Sequence, residues 1–153
     1  MFEIRFGSHI SVVDVLPGVL FRELSGEKRI KHLPISELPH QIRSNDPNLK
    51  YAPLVKVEWN KFAISIGEKS IIINCNLPYA GWNRFKEVIK QIITITKELD
   101  IIEDINRYSI KYIDLIPETL YKDKRIPVNL SMTMAETNIS KRPFHSKIRN
   151  FRK

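Results

Sequence analysis

The chain has 153 residues, a formal net charge of +8 and one cysteine. This length is typical of one domain with a substantial core, and a lone cysteine excludes an internal disulfide and suits a reducing compartment. No apolar run approaches the roughly eighteen residues that a membrane-spanning helix needs, and the N-terminal pattern does not indicate secretion. We therefore expect a cytoplasmic protein without a membrane partner.

The first residues predict a strand followed by a helix. Phe2, Ile4 and Phe6 alternate with charged residues, which is typical of a strand with one buried face. Apolar residues at helical spacing come next. Because proline suits a first helical position better than an interior one, we place this helix at residues 17–25, with Gly26 as its C-terminal stop.

Residues 27–53 are predicted to form an irregular arm. Four prolines in this segment discourage long regular elements. Long arms are sometimes functional, but the simpler expectation is that this one wraps over an edge of the sheet. A basic cluster near its start supplies candidate binding residues: Lys28, Arg29 and Lys31.

The next segment predicts three antiparallel strands joined by short loops. Every second residue in the stretches 55–59, 62–66 and 71–75 is apolar and falls on one face. With a two-residue loop after the first strand, every facing pair is apolar, which favours one register. The predicted pairs are Val55–Ile66, Val57–Ile64, Trp59–Phe62, Ile66–Ile71, Ile64–Ile73 and Phe62–Cys75.

A second helix and a further strand follow. The helix is amphipathic, and its buried face is predicted to carry Trp82, Phe85, Ile89, Ile92, Ile93, Thr96 and Leu99. In the strand at residues 107–116, Tyr108 and Tyr112 are expected to face the core. Arg107 and Lys111 fall on the opposite face, as candidates for contact with a partner or nucleic acid. A solvated face with cross-strand ion pairs is the simpler interpretation.

A last strand is predicted at residues 128–134. The order of elements predicts an α+β fold, with a largely antiparallel sheet of about five to six strands and two main helices packed on one face. We expect residues 1–140 to form a single domain and residues 141–153 to form a basic C-terminal tail.

The predicted tail carries six of the eight net positive charges and no acidic residue. Apolar residues interleave with these cations, so the segment is either a short basic amphipathic helix or a solvated terminus. As a helix it would contact phosphate backbones or an acidic protein surface. The candidate residues are Lys141, Arg142, Lys147, Arg149, Arg152 and Lys153.

Four stretches together resemble a known family: FEIRF at residues 2–6, LPGVLF at 16–21, YAGWNRF at 79–85 and RYSIKYID at 107–114. They are similar to a sporadically distributed, uncharacterised family of bacterial and archaeal proteins, over about residues 1–118. The family has no established reaction, cofactor or catalytic residue, and its patchy distribution implies a defence- or immunity-associated role. Members usually run longer, so the resemblance implies a shortened member or a fragment. Its sheet could then present an uncovered edge to a partner or a second copy.

Catalytic chemistry has little support in the sequence. Cys75 is expected to act as a buried small hydrophobe rather than as an activated thiolate. The four histidines, at residues 9, 32, 40 and 145, show no ligand spacing, so we expect neither a metal nor a cofactor. No nucleophile elbow, phosphate-binding loop or dinucleotide fingerprint is present.

Three functions stay open at this point. The first is a non-enzymatic binding or accessory protein of a defence or immunity type, which contacts a protein partner or a second copy. The alternative is a nucleic-acid-binding protein that uses the basic tail together with the cluster at residues 28–32. A hydrolase or nuclease has the least support, because the sequence shows no cluster of carboxylates or histidines.

Overall fold

The computed structural model describes residues 1–113 and, further along the chain, two strands of two residues each. The elements in chain order are β1 (Phe2–Gly7), α1 (Val12–Glu23), β2 (Lys28–His32), a 3-10 helix (Pro34–Glu37), α2 (His40–Asn45), β3 (Val55–Trp59), β4 (Phe62–Gly67), β5 (Ser70–Cys75), α3 (Trp82–Glu98), β6 (Asp104–Ile110), β7 (Thr133–Met134) and β8 (Thr137–Asn138). The chain divides into two compact units, Met1–Ile113 and Asp114–Lys153.

In the second unit, β7 and β8 pair with each other in antiparallel orientation. The strand predicted at residues 128–134 overlaps the described backbone only at its last two residues. The predicted domain end at residue 140 and the predicted tail lie outside the described residues, so both stay predictions.

Six strands of the first unit form one sheet in the order β2-β3-β4-β5-β1-β6. All five neighbouring pairs are antiparallel. Two of its helices are substantial, with 12 residues in α1 and 17 in α3, which confirms the α+β class. Because β1 lies between β5 and β6, the first strand of the chain is an interior strand of the sheet.

The strand register predicted for β3, β4 and β5 is confirmed. Each of the six predicted apolar pairs is a pair of directly opposed residues. Asn60, in the loop between β3 and β4, has a φ of 50°, a conformation that asparagine tolerates better than most residues. Cys75 lies opposite Phe62 as predicted and is partly buried against the core.

One face of the sheet and two helices enclose the core. The sheet contributes Phe6, Ile64 and Ile73, while α1 contributes Leu16 and α3 contributes other fully buried side chains. Trp59, at the end of β3, donates a hydrogen bond from its indole nitrogen to the Ser25 carbonyl at 2.7 Å. Because residues of α1 and α3 belong to the same core as these sheet residues, both helices pack on the same face, as the sequence predicts.

Helix α1 starts five residues earlier than predicted, at Val12, and contains Pro17 in its interior. Val12, Leu16 and Leu20 form a stripe in which no side chain is exposed. Burying each of these side chains contributes roughly 1.5–3 kcal/mol, whereas an interior proline costs about 3 kcal/mol. Burial of the stripe outweighs the lost hydrogen bond, which explains why the prediction of a start at Pro17 is wrong.

The segment predicted as an irregular arm contains regular structure. Its first part is β2, which pairs with β3 and forms one edge of the sheet, so that it extends the sheet instead of wrapping over its edge. The arm is then tied to the core, because the Leu33 amide donates to the Leu54 carbonyl and the Leu54 amide donates to the Ile66 carbonyl, each at 2.8 Å. The end of the arm packs closely against Gly67 of β4. A Cβ atom added to this glycine would lie only 2.5 Å from the Ala52 carbonyl oxygen.

Strand β6 begins at Asp104, three residues before the predicted start, and ends at Ile110. Its pairing with β1 shifts between Arg5 and Phe6, which face Arg107 and Ile105 respectively, so that Asn106 is the extra residue of a bulge. This bulge lies near the start of β6.

The buried stripe of α3 differs from the predicted one. Phe85, Val88, Ile92 and Thr96 are buried, whereas Trp82, the expected anchor of the helix, is 41% exposed. The prediction for Trp82 is wrong because this residue occupies the first helical position, before the stripe that packs on the sheet begins. Among the described residues, no helix combines the length and the apolar character needed to cross a membrane.

We predict that Phe85→Ala lowers the free energy of unfolding by about 3–5 kcal/mol, the usual cost of truncating a buried aromatic residue. Phe85 is fully buried, and its ring stacks on that of Phe62 with centroids 6.4 Å apart. Trp82→Ala, on the same helix, is the matched control and should cost less than half as much. Urea denaturation followed by circular dichroism measures both. An equal loss in the two variants would contradict this assignment of the core.

Candidate functional site

Strand β6 lies at an edge of the sheet, and some of its backbone groups point away from it. The Met1 amine donates to the Lys111 carbonyl at 2.9 Å, and the Lys111 amide donates to the Met1 carbonyl at 2.8 Å. Hydrogen-bonded and non-bonded positions alternate along an antiparallel pair. Ser109 therefore directs its backbone groups toward β1, while Tyr108 and Ile110 direct theirs outward. Within the described unit, β1 is the only strand beside β6.

The apolar side chains of β6 are aligned with the core face but lack its cover. Tyr108 lies opposite Ile4 and Ile110 lies opposite Phe2, both of which are buried. Nevertheless, Tyr108 is 76% exposed and Ile110 is 46% exposed. We define the β6 edge site as the outward backbone groups of Tyr108 and Ile110 together with the side chains of Ile105, Tyr108 and Ile110.

Tyr108 lies on the predicted face of β6, but the expectation that Tyr108 and Tyr112 are covered by the core is wrong, because the helix layer covers β1 and leaves β6 open. Tyr112 is 54% exposed, and its ring meets that of Tyr79 edge-on at 6.3 Å. Tyr79 in turn meets the buried Phe85 edge-on at the same distance. Desolvation, with the nearby Tyr112 hydroxyl, raises the pKa of Tyr79 above its ordinary value. A row of aromatic rings thus connects the core to the surface near the end of β6.

Arg107 and Lys111 lie on the other face of β6, as predicted, opposite Arg5 and Met1. Arg5 is engaged by its own neighbours, since its Nε donates to Glu3 at 2.6 Å and its guanidinium lies 4.3 Å from the centroid of the Tyr51 ring. Arg107 and Lys111 are both exposed. The edge of β6 therefore has an apolar side and a cationic side.

The basic cluster at residues 28–31 lies on β2, the opposite edge of the sheet, so the structure does not bring it together with the cations of β6. Lys28 donates to the Leu24 carbonyl and lies over the Phe21 ring. Lys31 lies 2.9 Å from Glu58, and its hydrogen bond holds the pKa of this carboxyl below its usual range. The charges on β2 are thus partly balanced by its neighbour β3. The six candidate residues of the tail lie outside the described residues.

A second candidate site is a cleft of about 590 Å³, which the sequence analysis did not predict. Three of the four histidines line it, and each comes from a different segment: His9 follows β1, His32 ends β2 and His40 begins α2. These residues look scattered in the sequence because β2 and α2 carry no clear periodic signal. We call this site the histidine cleft.

Arg43 is the least exposed charged residue of the histidine cleft, with 16% of its side chain exposed. Its Nε donates to the Leu38 carbonyl at 3.0 Å, which positions the guanidinium. Its Nη1 lies 3.7 Å from Glu68, which is longer than the roughly 2.7–2.9 Å of a charge-assisted hydrogen bond. The other oxygen of Glu68 accepts a hydrogen bond from Ser11 at 3.2 Å. Arg43 is therefore fixed in place beside a loosely paired counter-ion.

Most side chains that line the cleft are polar. Across the described residues, no group of three or more His, Cys, Asp or Glu side chains is placed to hold a metal ion. Hydrogen-bond donors in the cleft come from the cations Arg43 and Lys69 and from the histidine rings.

No protein-family model, curated protein or solved structure matches the chain. The resemblance to a bacterial and archaeal family stays an expectation, and it assigns no role to a residue of either site.

We predict that Lys31→Met raises the pKa of Glu58 toward its usual value, because the hydrogen bond that favours the carboxylate is lost. A depressed pKa in the folded state means that this pairing stabilises the fold above the usual carboxyl pKa, and that the contribution is lost as the pH falls through the folded pKa. NMR titration of the Glu58 side-chain carbonyl measures the change.

Arg29→Met is the matched control. Arg29 lies opposite Glu58 in the strand register, yet in the described structure the carboxylate pairs with Lys31 and Lys56. Its replacement should leave the Glu58 titration nearly unchanged. Equal shifts in the two variants would show that general electrostatics, and not the hydrogen bond, sets this pKa.

Proposed function

We propose that the chain is a non-enzymatic binding protein that acts through protein–protein contact, in which an extended segment of the partner adds to the sheet at the β6 edge site. The observation that carries this proposal is the coincidence of two features on Tyr108 and Ile110. Both residues direct backbone groups outward, and both expose apolar side chains on the same face. Strand addition uses backbone hydrogen bonds for affinity and alternate side chains for specificity.

The two faces of β6 define the chemistry of the partner strand. One set of its side chains would pack on the apolar side of β6, and the other set would lie beside Arg107 and Lys111. Opposite charges across a strand pair each contribute roughly 0.2–1 kcal/mol. The occupant is therefore an extended segment in which apolar and acidic residues alternate. The net charge of +8 also favours encounter with an acidic partner.

A second copy of the chain fits the edge less well. If β6 pairs antiparallel with itself about Ser109, Arg107 of one copy lies directly opposite Lys111 of the other. If it pairs about Tyr108, the two Arg107 side chains become diagonal neighbours. Like charges destabilise a strand pair in both registers, so the charge pattern favours a different protein.

We also place the protein in the cytoplasm, because one cysteine suits a reducing compartment. The further proposal of an accessory or immunity-type role rests on the family resemblance, whereas the strand-addition proposal stands on the geometry of β6.

We predict that the full chain binds an extended peptide in which glutamate alternates with valine and tyrosine, and that Ile110→Pro weakens this binding at least about tenfold. Proline at this position removes an outward N–H and leaves the hydrogen bonds to β1 in place, so the sheet should persist. Fluorescence anisotropy of the labelled peptide measures affinity. Hydrogen exchange followed by NMR should show that Tyr108 and Ile110 amides gain protection in the complex.

Ser109→Ala is the matched control, because the Ser109 amide already faces β1 and its side chain lies on the polar side. This variant should bind the peptide as the parent chain does, and a peptide with lysine in place of glutamate should bind more weakly to both. Equal affinity of the parent chain and Ile110→Pro would overturn the proposal. Occupation of the edge by a second copy or by another segment of the chain would also overturn it.

A further inference from the structure

The histidine cleft has the size and lining of a small-molecule site. Its volume of about 590 Å³ falls in the range of roughly 300–1,000 Å³ found for such sites. Leu54 and Val55, which are 3% and 2% exposed, supply an apolar floor, while polar side chains form most of the rim. The lining residues include no Phe, Tyr or Trp. The cleft therefore suits a compact polar molecule better than one with a large aromatic ring.

The two positive and two negative residues of the cleft balance, but the unused donors of Arg43 favour an anionic group on that molecule. Arg43 and Lys69 are positive, and Asp14 and Glu68 are negative, but Glu68 is already engaged by Ser11 and by Arg43. The guanidinium is held by a backbone carbonyl and keeps most of its N–H groups for other acceptors. An oxyanion could approach Arg43 to the roughly 2.7–2.9 Å of a charge-assisted hydrogen bond, a distance that Glu68 does not reach.

We propose that the histidine cleft binds a small hydroxylated organic phosphate, with Arg43 as the anchor of the phosphate group. Donors converge on the cleft from Arg43, Lys69, His32 and His40, whereas Nδ1 of His9 already lies 3.2 Å from Glu103. A phosphate presents three strong acceptor oxygens, one more than a carboxylate. The planar guanidinium matches a phosphate in bidentate geometry. This site shares no residue with the β6 edge site, so the two proposals stand or fall separately.

Two serines of the cleft can bind the hydroxyl groups of the ligand. Ser8 donates its hydroxyl proton to a backbone carbonyl, either that of Ile101 at 2.6 Å or that of Ile10 at 2.8 Å, and Ser36 donates to the Leu33 carbonyl at 2.7 Å. The Ser8 oxygen also accepts a hydrogen bond from the Ile10 amide at 3.3 Å and keeps one lone pair, while the Ser36 oxygen keeps two. These lone pairs can accept hydrogen bonds from hydroxyl groups on the ligand. Ser11 directs its hydroxyl to Glu68 and makes no side-chain cap on α1, so the first turn of this helix opens on the cleft without a side-chain acceptor.

The test uses the full chain, with glycerol 3-phosphate as the probe and glycerol as the control ligand. NMR titration of labelled protein should show shifts at His9, His32 and His40 with the phosphate and none with glycerol. Arg43→Gln should raise the Kd at least about tenfold, since a lost hydrogen bond to a charged group has that effect. Arg29→Gln removes the same charge from an exposed position on β2 and should leave the Kd within about twofold.

Lys69→Gln is a second variant that tests the same site without a change in α2. Lys69 is exposed at the rim of the cleft, so its replacement should leave the fold intact and raise the Kd about threefold. Equal weakening by Arg29→Gln and Arg43→Gln would overturn the proposal, because it would indicate general attraction to a basic chain. Shifts confined to residues 141–153, or no binding up to about 10 mM probe, would overturn it as well.

Discussion

Burial of one apolar sheet face under two helices determines where the remaining surfaces of the described unit can bind. The aligned side chains of β1, β3, β4 and β5 on this face are excluded from water, and the helices are held by the same contacts. The two helices cover the sheet only as far as β1. The next strand, β6, carries residues of the core type without the helix that would bury them, and its outer backbone groups face the same open space. The β6 edge site is thus a consequence of the width of the helix layer.

The two candidate sites would recognise different chemistry. The β6 edge site offers backbone groups, whose spacing any extended strand matches, so its selectivity would come from the apolar and cationic sides of the strand. The histidine cleft offers side chains fixed by the arm, which is tied to the sheet through Leu33 and Leu54. A ligand in the cleft would meet charges from several segments, whereas a strand at the edge would meet one element alone.

The sequence predicts how strands that follow each other in the chain pair. It does not predict which strands the helices cover. In β3, β4 and β5, alternation and short loops specify one register, which the structure confirms. The β2 segment, Lys-Arg-Ile-Lys-His, shows no alternation because backbone hydrogen bonds, and not buried side chains, hold it. For Tyr108, alternation identifies the face but cannot show whether a helix reaches it. The histidine cleft is lined by residues from four stretches of the chain, 8–14, 32–43, 54–55 and 68–69, so no local pattern could reveal it.

The interior position of β1 has a consequence for the order in which the described unit is assembled. One neighbour of β1 starts at Ser70 and the other at Asp104, and the amine of Met1 bonds to a carbonyl 110 residues away. Contacts between distant residues slow folding, because a long loop must close before they form. During synthesis, β1 must wait for its final neighbour until β6 has emerged from the ribosome, while β3, β4 and β5 can pair as soon as they appear.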